Sequence, residues 1–98
     1  MTTTFFIEFN MKTAGGFERF ACFDLGRDRE FALRLFSTFD GQIPIGDDGV
    51  LHLDLVEKRQ GLPVNMHVLS CSMAELCNNV KIITREIFKR INLEDMPP

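Results

Sequence analysis

Asp54, His67 and Cys71 are the residues of this chain whose types and spacing could do chemistry. They fall in the stretch HLDLVEKRQGLPVNMHVLSC, residues 52–71, which alternates apolar and polar side chains on both sides of Gly61. Folded as a hairpin with Gln60 and Gly61 as its loop, this stretch sets Asp54 directly across from His67, and His52 across from Leu69. A carboxylate facing an imidazole can orient a base, and such a pair becomes a triad once a nucleophile lies in reach. Cys71, or Cys22 on another strand, would supply a thiol. Cys71 also precedes a predicted helix, and a thiol near a helix N-terminus can have a depressed pKa. No motif accompanies these residues, so a solvated cross-strand pair worth a fraction of a kcal/mol explains Asp54 and His67 equally well.

Other polar groupings are weaker. DLGRDREF runs from a predicted strand into a predicted helix, with Gly26, Arg27 and Arg29 near the helix N-terminus, where anions are stabilised. Arg27 and Arg29 therefore form a candidate anion or nucleotide effector site, although a phosphate loop needs more glycine than this segment carries. Asp47 and Asp48 in GDDG lack the alternating oxygen ligands of a calcium loop, and a plain turn accounts for them. Cys22, Cys71 and Cys77 include no C-x-x-C pair and match no zinc template. No catalytic residue, metal or cofactor is assigned.

Composition narrows the function classes. Ninety-eight residues, 45% apolar and 26% charged, describe one ordered domain spanning 1–98. A net charge of −3 disfavours nucleic acid, whose binding is driven by concentrated Lys and Arg. Ten Phe without Tyr or Trp point to rings that fill a core. The opening MTTTFFIEFN has no basic start and no long apolar run, so no secretory leader is expected. No stretch approaches the ~18 apolar residues of a membrane span. A cytoplasmic location with free thiols is the simplest expectation.

The elements that must position these residues follow from periodicity. Phe5, Ile7, Phe9 and Met11 alternate as one face of a strand, and AGG offers a three-residue loop between Thr13 and Phe17. The return strand then sets Phe23 opposite Ile7, Ala21 opposite Phe9 and Leu25 opposite Phe5, giving a hairpin over 4–25. Phe31, Leu35 and Phe39, with Ala32 and Phe36 beside them, predict a helix over 28–40 capped by Asp28. Residues 41–49 are a glycine- and proline-rich loop. A second hairpin covers 50–71, with Leu53 opposite Val68 and Leu55 opposite Met66. SMAE at Ser72–Glu75 is a capping box, and Leu76, Val80, Ile83, Ile87 and Ile91 lay an apolar stripe along a helix over 72–92, followed by a tail, 93–98.

The order ββαββα predicts an α+β fold in two layers. A four-stranded antiparallel sheet, its hairpins joined through the first and third strands, carries two helices on one face. The repeated pattern permits a duplication of a ββα unit. The opposite sheet face is then open, and in these registers it collects Phe6, Phe20, Val56 and Leu69 among polar neighbours. Such a patch suggests a partner. The leading expectation is therefore a small non-catalytic module that binds a protein partner, or itself as a homodimer, through the open face or an edge strand. The alternative is a thiol or histidine enzyme or redox regulator using His67, Asp54 and a cysteine.

Overall fold

Both hairpins form, and they join along their first strands. The computed structural model describes residues 2–42 and 50–95, with the side chains of 91–95 left aside. The elements are β1 (Thr3–Thr13), β2 (Gly16–Gly26), α1 (Arg29–Ser37), β3 (Leu51–Arg59), β4 (Leu62–Cys71) and α2 (Met73–Asp95). The strands form one antiparallel sheet in the order β2-β1-β3-β4. The expected loop 41–49 and tail 93–98 fall partly outside the described residues, and Asp47 and Asp48 fall wholly outside them. Within the described part, α2 continues through 93–95, and α1 stops at Ser37 rather than at 40.

One sheet face is dry. Phe5, Ile7 and Phe9 of β1, Leu51, Leu53 and Leu55 of β3, Leu25 of β2 and Leu69 of β4 join Phe31, Ala32, Leu35 and Phe36 of α1 and Leu76 and Ile83 of α2 in a single core. Both helices therefore cover the same face. Neither helix has another place to bury its stripe, and that burial supplies most of its stability. The caps form as the sequence predicts. Asp28 accepts from the Phe31 amide at 3.1 Å, while Ser72 and Glu75 exchange bonds of 3.2 and 2.8 Å.

Two polar contacts fix the helices against each other. Asn79, with no exposed surface, accepts from the Asp40 amide and donates to the Asp40 carbonyl, both at 2.8 Å. At the other end Arg90 reaches Asp28 at 3.5 Å and lies 4.1 Å from the centre of the Phe31 ring. The chain leaving α1 returns to β4, where Gln42 and Ser70 exchange backbone bonds of 2.8 and 3.2 Å. Gly41 makes that return fit, because a Cβ there would lie 2.6 Å from both the Leu69 side chain and the Ser70 carbonyl.

The registers depart from expectation by single residues, and each departure turns a side chain over. The first hairpin turns through Ala14 and Gly15 alone, so Gly16 pairs with Thr13, Phe17 with Lys12 and Arg19 with Asn10. A bulge at Phe20 then restores the expected pairs, Ala21 with Phe9 and Phe23 with Ile7, before a second irregularity pairs Phe5 with Gly26 instead of Leu25. The second hairpin behaves in reverse. Its turn residues Gln60 and Gly61 both have positive φ, 52° and 82°, and the expected register holds to Val56 against Asn65. A bulge at Met66 then pairs Leu55 with His67, Asp54 with Val68, Leu53 with Leu69 and His52 with Ser70.

Candidate interaction surface

The bulge at Met66 separates the members of the candidate polar cluster. Asp54 shares the open face with Glu8, its neighbour on β1, whereas His67 lies opposite Leu55 on the helix side. The His67 ring stacks on Phe36 of α1 at 5.8 Å. Cys71, half-buried, packs against the same core. Asp54 and His67 therefore sit on opposite faces of the sheet and cannot act as a pair. Burial, with the Glu75 carboxylate adding to it, pushes the Cys71 thiol up to about 11, away from an activated thiolate. Cys22, exposed on the open face, is also raised, by partial burial and then by Glu8. Cys77 is exposed.

The histidine that does neighbour Asp54 is His52, two residues away on the same face of β3. Its ring is stacked by Phe17 at 4.2 Å, and its Nε2 and the Asp54 Oδ1 are buried without a hydrogen-bond partner among the described residues. Burial raises the Asp54 carboxyl above its usual range. His52 pulls it down, Glu8 pushes it further up, and the Asn10 amide pulls it down again. Asn65 donates to the other carboxylate oxygen at 3.4 Å.

The candidate anion site is already occupied by the chain's own groups. Arg29 turns to Glu57 at 3.4 Å, which Arg59 also holds at 3.0 Å, and the Asp28 carboxylate caps the helix start. Arg27 is exposed and joins neither contact.

The expected apolar patch is likewise dispersed. Leu69 is 2% exposed and belongs to the core, having been turned over by the Met66 bulge. Val56 stays on the open face but is 3% exposed, paired with Phe6, whose ring takes the Lys58 ammonium at 5.6 Å. Phe20, lifted out of register by its own bulge, turns to the helix side and meets Phe9 edge-on at 5.9 Å.

What the geometry assembles instead lies at the β1–β2 hairpin end. Phe17 is 48% exposed on the open face, while Phe20, 49%, and Met11, 40%, lie on the helix side. Val50, exposed, is held to β1 beside Met11 by the bond from the Lys12 amide to its carbonyl, 2.8 Å. Phe17 was missed because a three-residue loop would have turned it inward. The Thr13 hydroxyl, which accepts from the Gly15 amide and donates to the Gly16 carbonyl, was the local signal for the shorter turn.

The two sheet edges differ. On β4, Pro63 lacks a donor and Gln42 covers Ser70. β2 contains no proline and pairs only with β1, so its outer side has no strand beside it among the described residues. No family model, curated protein or solved structure matches the chain.

Proposed function

We propose that this chain is a protein-interaction module whose contact surface is the outer edge of β2 with the apolar side chains around it. The observation that carries the proposal is the coincidence on one edge strand of an unpaired backbone ladder with two half-exposed phenylalanines, Phe17 and Phe20. An edge strand is a template for another chain, its backbone groups giving affinity and its flanking side chains specificity. Large apolar groups gathered beside it add the area such contacts use. No helix among the described residues is long and apolar enough to cross a membrane. The three free cysteines fit a reducing, cytoplasmic setting. Chemistry by His67, Asp54 and a cysteine draws no support from side chains on opposite faces of the sheet.

The test is Phe20→Asp. The variant should keep the wild-type circular dichroism spectrum, since Phe20 is half-exposed, and should lose association in sedimentation or in capture by the immobilised protein. Association that persists unchanged in the folded variant removes β2 from consideration.

A further inference from the structure

We infer that the partner β2 fits is a second copy of this chain, paired antiparallel along the same strand about a twofold axis at Cys22. This rests on β2 being the contact edge, and three observations extend it.

The first is the ladder itself. Between its two bulges β2 runs regularly, with Ala21, Cys22, Phe23 and Asp24 paired in turn to Phe9, Glu8, Ile7 and Phe6. That stretch presents a straight outer side to another strand.

The second is charge. In a twofold strand pair, residues equally spaced from the axis meet each other. Asp24 follows Cys22 on the open face. On the other side the bulge at Phe20 absorbs one residue, so the next open-face side chain is Arg19. Arg19 of each copy therefore meets Asp24 of the other, giving two equivalent ion pairs. An axis at Phe23 would set Asp24 against Cys22, and an axis at Ala21 would set it against Phe17, so only the axis at Cys22 pairs the charges. Arg19 is 59% exposed and gives Glu8 one contact of 3.1 Å, while Asp24 uses one oxygen to accept from the Gly26 amide at 2.8 Å. Both keep capacity for a partner.

The third is packing on the helix side. Ala21 of one copy faces Phe23 of the other, small against large, and Phe20 is brought beside that same Phe23. The product is one continuous eight-stranded sheet with all four helices on one face. Cys22 meets its own counterpart at an expected Cα separation of about 4.5–5.5 Å, which a disulfide can span.

The experiment is sedimentation equilibrium of the reduced full chain over a wide concentration range, for the wild type, Arg19→Asp, Asp24→Arg and the double variant. The wild type should dimerise. Each single reversal should weaken the dimer by about tenfold or more, and the double reversal should return it to near the wild-type constant. Cys22→Lys, at an exposed position, should give a folded monomer because it sets two ammonium groups on the axis. Oxidation in air with copper phenanthroline should cross-link the wild type and Cys77→Ser but not Cys22→Ser. A reduced wild type that stays monomeric to about 1 mM, weaker than any affinity this contact should give, overturns the second copy and leaves β2 open to a different chain. A dimer that ignores the charge variants and Cys22→Lys but is lost on Phe20→Asp overturns this pairing and keeps the edge. A dimer that ignores all of them overturns both.

Discussion

Asp54 is the side chain least at ease in this protein. Its carboxylate lies across β1–β3 from Glu8, one oxygen is buried without a partner, and burial raises its pKa. A carboxyl raised in the folded state works against folding once ionised. Its penalty is fully present at neutral pH, and stability returns as pH falls through the folded value. Asp54→Asn should therefore raise the stability at pH 7, by less than about 1 kcal/mol given the group's partial exposure, and the melting temperature with it. The difference from wild type should shrink towards pH 4 in a series of thermal melts; an advantage that stays constant with pH would assign the gain to something other than charge. Cys71 makes a second residue-scale prediction. With its thiol at about 11, its alkylation by iodoacetamide near neutral pH should be slower than that of a free thiol by about tenfold or more. Mass-spectrometric timing of each cysteine would check this, and a Cys71 as fast as a free thiol would contradict the burial argument.

At the scale of elements, Asn79 is the buried polar residue that ties the helix layer together at one end. Asn79 occupies the buried stripe of α2 and mimics a backbone partner for Asp40, closing the segment that follows α1. Asn79→Ala leaves both Asp40 backbone groups unpaired in a covered site and should cost about 2–4 kcal/mol in a denaturant titration. A loss below about 0.5 kcal/mol, the range of ordinary surface substitutions, would mean that the loop re-pairs elsewhere. This role was not legible in the chain, because the periodicity of Leu76, Val80 and Ile83 marks only the apolar members of the stripe. The elements themselves were legible: alternation, caps and turn glycines placed each strand and helix, and the hairpins join as that pattern expects. The faces were less so. A bulge adds one residue without changing composition or local propensity, so nothing in ERFAC or NMHVL announces that Phe20 and His67 change sides. The candidate site depended on those two positions, and it therefore moved when the fold did not.

For the whole molecule, the order β2-β1-β3-β4 is unchanged when the two ββα halves are exchanged, yet the halves finish their edges differently. Both edges carry exposed apolar side chains, Leu62 and Val64 on β4 and Phe17 and Phe20 on β2, but β4 also carries a proline and a strap from Gln42. That asymmetry is the physical basis for placing the contact on β2, and it predicts where backbone amides gain protection on association. The most direct measurement is amide hydrogen exchange, resolved by residue, on the reduced protein at low and high concentration. Within Arg19–Asp24 the outward-pointing amides, at alternate positions, should slow as concentration rises while those of β4 stay unchanged. Exchange along β2 that is indifferent to concentration, or protection that appears on β4 or on the open face instead, would contradict the account.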